Sequence, residues 1–252
     1  MTEAALRVMT QAPFAARRAR EPAMSRRLLL PLLLVPALAG AATDFSAAEQ
    51  ALFLGTPLAT LRPPLTLDYA FHRSGTLEAP LDDSVKLDLK AQAGGGCCAV
   101  TARLLSGPNA LQQPEVDNAQ GNPALMYFLE RDIREMQRLT GGQPNYFRKR
   151  IRMAVYQGAT MRALTLPYRG ADVAVREFTI APYADDPNRA RFEKLAGKHY
   201  AFYMSDAVPG GLYAIRARID AAGGSAAPLM QEEMLIEGAQ TPPSMPPSTT
   251  RP

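Results

Sequence analysis

Apolar and polar residues alternate with a period of two as soon as the chain passes its first proline-rich stretch. Leu65, Leu67, Tyr69 and Phe71 interleave with Thr66, Asp68, Ala70 and His72, which predicts a strand with one buried face, closed by a turn at Arg73-Ser74-Gly75. Val85, Leu87, Leu89 and Ala91 alternate with Lys86, Asp88 and Lys90 and predict a second strand. Cys98, Val100, Ala102 and Leu104 share one face of a third, reached through a flexible joint at Gly94 to Gly96. Three strands with short connections favour an antiparallel meander.

The period becomes helical after Gln120. Asn122 is a capping residue and Pro123 suits the first helical position; Leu125, Phe128, Leu129, Asp132, Ile133, Met136 and Leu139 then follow helical spacing up to Gly141-Gly142. Glu130 with Arg134, and Arg131 with Glu135, stand four apart and are expected to pair on the outer face. Asn145 to Tyr156 fits either period, but a cap at Asn145 and a stop at Gly158 favour a helix. Gly-Gly-Gln-Pro between the two helices predicts an antiparallel hairpin.

Strand patterns return at Leu164 to Tyr168, Val173 to Ile180, Tyr200 to Met204, Leu212 to Ile219 and Leu229 to Glu237, with a short helix after Asp185-Asp186-Pro187-Asn188. Glu232 or Glu233 is expected opposite Arg216 or Arg218, a cross-strand pair worth about 0.2–1 kcal/mol. A further short helix fits Phe45 to Leu54, where Phe45, Ala48, Leu52 and Phe53 lie near one face. The expected fold class is α+β, a curved, mainly antiparallel β-sheet with an inserted helical hairpin packed on it at Pro123 to Tyr156; a sandwich with Asn145 to Tyr156 as a strand is the alternative.

One stretch answers to neither period. Met24 to Ala42, MSRRLLLPLLLVPALAGAA, places Arg26 and Arg27 before an apolar run from Leu28 to Leu38 and the small triplet Ala39-Gly40-Ala41. This is the pattern of a secretory signal peptide cut after Ala41. The run is well short of the roughly 20 residues a spanning helix needs, and Pro31 and Pro36 disfavour a permanent span. Met24 is then the expected start, residues 1 to 23 an upstream extension, residues 42 to 237 a single exported domain, and the proline-rich segment 238 to 252 a disordered tail. The expected location is the periplasm or the exterior, with no transmembrane span after cleavage.

Charge changes its meaning once that segment is set aside. The whole chain carries 28 Lys+Arg against 24 Asp+Glu, but residues 1 to 41 hold six arginines and two glutamates, which leaves the exported domain neutral. The basic balance therefore gives no reason to expect a nucleic-acid partner.

Candidate chemistry is sparse. There is no G-x-S-x-G, H-E-x-x-H, P-loop or G-x-G-x-x-G, and no cofactor is expected. Cys97 and Cys98 are the two cysteines of the chain; export makes a vicinal disulfide between them a candidate, against two unbonded thiols on opposite strand faces. A metal site built from these cysteines with His72 and His199 has no support in their spacing, and Asp82-Asp83 and Asp185-Asp186 lack a calcium-loop pattern, so no metal is expected. Arg148, Lys149, Arg150 and Arg152 form the densest cationic run, among Tyr146, Phe147 and Tyr156, and are the candidate contact for an anion; the alternative is a solvated face neutralised by Glu130, Asp132 and Glu135. The expected role is a non-enzymatic binding or scaffold protein of the bacterial envelope with an unknown envelope ligand or protein as partner, or alternatively an envelope hydrolase acting on a glycan or lipid.

Overall fold

The computed structural model describes residues 45–92, 97–111, 113–221 and 227–243. Eight strands form one open antiparallel sheet: β1 (Leu65–Gly75), β2 (Leu81–Ala91), β3 (Cys97–Leu104), β4 (Thr160–Tyr168), β5 (Ala171–Ile180), β6 (His199–Met204), β7 (Leu212–Ile219) and β8 (Met230–Ile236), in the order β3-β2-β1-β8-β7-β6-β5-β4. The first and last strands thus meet in the middle, with β3 and β4 at the two edges. The connection from β3 to β4 must cross the sheet, and it holds α2 (Pro123–Thr140) and α3 (Pro144–Gly158). Before β1 lies α1 (Ala47–Glu49), continued by a π-helical turn Gln50–Leu54; α4 (Arg189–Phe192) precedes β6. The chain is thus mixed α and β. The signal-like stretch and the glycine joint at 94–96 lie outside the described residues.

Strand pairing follows the alternation. Phe178, Phe202, Ile215, Met234 and Phe71 stand in register across β5, β6, β7, β8 and β1, and all are buried. The opposite face of β1 and β2 carries polar pairs, Asp68 with Lys86 and Thr66 with Asp88. Two boundaries differ from the sequence expectation. The turn at Arg73-Ser74-Gly75 is instead the end of β1, because β8 pairs as far as Gly75, whose positive φ of 120° and close approach to the Leu229 carbonyl leave no room for a Cβ. β2 begins four residues before Val85, where Asp82 and Asp83 obscure the alternation while pairing with His72 and Phe71 of β1.

The helix α2 begins as its residues demand. The Asn122 side chain accepts from the Ala124 N–H at 3.0 Å, Pro123 takes the first position, and Gly141 ends the helix in the left-handed region at φ 69°. α3 is helical and runs to the stop at Gly158, but Asn145 is not its cap: Gln143 stands at the cap, Pro144 takes the first position, and Asn145 lies inside the first turn, where its side chain accepts from Arg148.

The charged pairs on α2 are where expectation and structure part. Arg131 does not reach Glu135; it donates to Glu232 of β8 at 2.8 Å and lies over the Phe71 ring at 4.8 Å. Glu130 accepts a bidentate grip from Arg148, and Glu135 pairs with Arg138. A pair four apart on one helix is worth only tenths of a kcal/mol, so a partly buried partner elsewhere easily outcompetes it. Asp132 is fully buried. It pairs with Lys198, itself buried, and accepts from the Tyr200 hydroxyl at 2.6 Å.

Across β7 and β8, Arg216 pairs with Glu233, as the sequence suggested, but the pair is buried and extended by the following segment. Arg216 also donates to the carbonyls of Pro242 and Pro243, and the Tyr213 hydroxyl bonds with Gln240. Residues 238–243, read from composition as the start of a disordered tail, are therefore tied to the sheet by hydrogen bonds that composition does not reveal. Residues 244–252 lie outside the described set.

Two expected outcomes follow from the buried polar groups. Asp132→Leu and Lys198→Met each leave one buried charge without its partner and are expected to destabilise by about 3–5 kcal/mol, whereas the double variant recovers most of the loss; urea denaturation of the three variants measures this, and additive losses in the double variant would refute the coupling. Burial raises the Tyr200 phenol well above its ordinary value, with Asp132 adding to the shift, and burial likewise raises Tyr69, Tyr183 and Tyr203. Because the folded state holds these protons more tightly, their contribution is complete below about pH 10, the unfolded value, and is lost as pH rises toward the folded values. The urea midpoint should therefore fall steeply above about pH 10, and a flat profile to pH 11.5 would contradict it.

Candidate functional site

Phe45 to Leu54 is nucleated by its own first turn. The Ser46 N–H donates to the Glu49 carboxylate at 3.0 Å while the Glu49 N–H donates to Ser46 Oγ at 3.1 Å, closing a capping box. Ala48 and Leu52 are buried, whereas Phe45 and Leu54 are each half exposed. The Ser46 hydroxyl also reaches the Val155 carbonyl of α3 at 3.4 Å.

Opposite this turn runs the loop that leads into α2. Val116 exchanges two 2.9 Å backbone bonds with Val100 of β3, and the Ala119 N–H donates to the Cys98 carbonyl at 3.0 Å. The Asn122 amide then donates to the Tyr69 hydroxyl and to the Gly210 carbonyl, both at 2.8 Å. Gly210 has φ 75°, and a Cβ there would sit 2.9 Å from the Asn122 amide nitrogen, so glycine is what permits the approach.

Between turn and loop lies a cleft of about 710 Å³, lined among others by Phe45, Leu52, Phe53, Leu54, Val116 and Met126, with Glu49 and Arg152 as its charged members. A second depression of about 550 Å³ is lined by Asn145, Arg148, Lys149, Met153 and Tyr156, and again by Glu49 and Arg152. The two therefore adjoin at Glu49 and Arg152. Among the described residues eight large apolar side chains are exposed, and six of them, 36% to 56% exposed, line these two depressions: Phe45, Leu54, Val116, Met126, Met153 and Tyr156. Six of the eight thus gather on one part of the surface instead of standing singly.

The structure divides the cationic run of α3. Arg148 grips Glu130 at 2.7 and 2.6 Å and donates to Asn145. That guanidinium holds the Glu130 carboxyl below the usual carboxylate range. Arg150 turns the other way, to buried Asp186 at 2.9 Å and the Pro182 carbonyl at 3.0 Å, and so stands apart from the depression. Lys149 and Arg152 line the depression, and neither makes an ion pair among the described residues. The four cations are thus divided: Arg150 points away to Asp186, Arg148 lines the depression but is paired with Glu130, and Lys149 and Arg152 line it without an ion pair among the described residues.

The remaining candidates lie elsewhere. His72 contacts Asp82 at 2.7 Å, and buried His199 lies 3.7 Å from Asp220. Asp186 also accepts from the Tyr146 hydroxyl and from the Asn188 N–H, the role of a turn residue. Among the described residues no three His, Cys, Asp or Glu side chains form a group able to hold a metal ion. Cys97 and Cys98 open β3 with their sulfurs against each other; Cys98 is buried, and Cys97 lines a separate depression formed by Ala59, Leu61, Arg62 and Ala91.

No family model and no curated protein matches the chain. Among solved structures it is similar to the Mycobacterium tuberculosis lipoprotein LppX, at 10% identity and a TM-score of 0.29, over 71% of this chain and 88% of that one. A likeness this slight carries no argument about function.

Sequence reasoning found the cations but not the cleft. Its one local signal is Met126, a large apolar residue on the face of α2 that also carries Glu130 and Arg134, away from the stripe of Leu125, Phe128 and Leu129.

The cysteine pair has a direct test. Alkylation of unreduced, denatured protein followed by intact mass should find no labelled thiol and a monomer two protons lighter than its reduced form; two labelled thiols would exclude the disulfide.

Proposed function

We propose that the protein is an exported, non-enzymatic binding protein of the cell envelope whose cleft receives an apolar ligand. The observation that carries this reading is the gathering of six exposed apolar side chains around two adjoining depressions. The larger one has the size and mainly apolar lining of a small-molecule site. Its acidic member, Glu49, is committed to the Ser46 capping box, which leaves the cleft without a pair of carboxylates for hydrolysis of a glycan. In this reading Met24 to Ala41 is removed on export, residues 42 onward act in the periplasm or outside the cell, and Pro123 to Gly158 forms a hairpin over a curved sheet. No helix among the described residues is long and apolar enough to cross a membrane, which is compatible with that location.

Native mass spectrometry of the protein purified from its own envelope is expected to show a bound species of apolar character. In parallel, the purified protein should enhance the fluorescence of the uncharged probe N-phenylnaphthylamine, and Met126→Gln should weaken that binding by about tenfold while leaving the circular dichroism unchanged, since exposed substitutions typically shift stability by no more than about 0.5 kcal/mol. Equal binding by the variant, with an empty protein in native spectra, would overturn the reading.

A further inference from the structure

We infer that the ligand is a long-chain anion: its hydrocarbon lies against Phe45, Leu54, Val116 and Met126, and its carboxylate or phosphate meets Arg152, where the two depressions join, and Lys149, which lines the second of them. This rests on the binding reading above and adds the chemistry of the polar end.

The charge balance at the junction argues for it. Arg148 and Glu130 cancel each other, and Arg150 is spent on Asp186. Lys149 and Arg152, three residues apart on α3 and so on neighbouring positions of one face, stand against the single carboxylate of Glu49. One oxygen of that carboxylate already accepts from the Ser46 N–H and hydroxyl. The junction is therefore net positive on a domain whose exported sequence is neutral, and its excess sits beside the apolar cleft. An arginine guanidinium matches the two oxygens of a carboxylate or phosphate, and lysine adds a second, mobile donor. A free inorganic anion has no use for the apolar wall, and a neutral hydrocarbon has none for the cations. Arg152, which lines both depressions, is the residue that links the two halves of such a ligand.

Isothermal titration of the full exported domain with decanoate, decyl phosphate, decyl glucoside, decyltrimethylammonium and inorganic phosphate tests this. Decanoate or decyl phosphate is expected to bind at least about tenfold more tightly than the neutral and cationic amphiphiles, with affinity falling as salt is raised. Which of the two anions is preferred tells a carboxylate from a phosphate head. Lys149→Gln with Arg152→Gln should remove the preference for the anion and leave decyl glucoside binding in place, with circular dichroism as the control for folding. If the neutral or cationic amphiphile binds as tightly as the anions, the inference fails while the cleft reading stands. Inorganic phosphate binding as tightly as decyl phosphate would also overturn it, since the apolar wall would then contribute nothing. If no amphiphile binds, the reading of the cleft as a ligand site fails as well.

Discussion

Asp132 and Lys198 meet out of reach of water, and the placement of α2 on the sheet depends on that meeting. Removing either ion from water costs several kcal/mol, and their attraction offsets this only if the remaining hydrogen-bonding capacity is filled. Here it is filled in part by Tyr200, which donates to the second oxygen of Asp132, and Lys198 also lies near the face of that ring. Sliding α2 by one turn would leave a buried carboxylate and a buried ammonium without partners. An apolar interface tolerates such slippage far better, so this interaction selects one register of helix on sheet, whatever its net contribution to stability.

The residues on either side of it extend the constraint. Arg131, next in sequence, fixes α2 to β8 through Glu232, and Asn122 at the helix start ties it to Tyr69 of β1 and to the tight turn at Gly210. α2 is therefore held near its middle and at its first residue. Met126 lies between those anchors, so one wall of the cleft stands on an element with little freedom to move. The other wall, the turn from Phe45 to Leu54, is held more lightly, by the buried Ala48 and Leu52 and the long Ser46 to Val155 bond.

How much of this could be read from the chain alone depended on whether an element's partner was local. β1 and β2 alternate because one face is wet, and their alternation is visible. The helix signals at Asn122, Pro123 and Gly141 act within a few residues and held in the structure. Glu130 and Arg131 leave the pairs that spacing predicts on their own helix because sequence spacing is blind to Arg148 and Glu232, which sit 18 and 101 positions from the residues they bind. The docking of Gln240, Pro242 and Pro243 was hidden for the same reason: their contacts use backbone carbonyls, which every residue has and which composition cannot register. The cleft is assembled from Phe45, Val116, Met126 and Arg152, each an ordinary residue of its own segment.

The unequal hold on the two walls bears on what a ligand would do to the protein. A molecule that fills the cleft touches the turn before β1, the loop from Val116 to Asn122, α2 and α3 together; α2 and α3 are already joined by the Arg148–Glu130 pair, whereas the turn meets α3 through the Ser46 to Val155 hydrogen bond. Fully burying a half-exposed Phe or Met side chain is worth about 1 kcal/mol, and several such residues line the same wall. By mass action that gain appears as stability of the whole domain, and it is largest where the empty protein holds itself least. Phe45 and Leu54 of the turn are among the half-exposed residues of that wall, so a molecule that covers them would add to the hold of the turn on the rest of the domain.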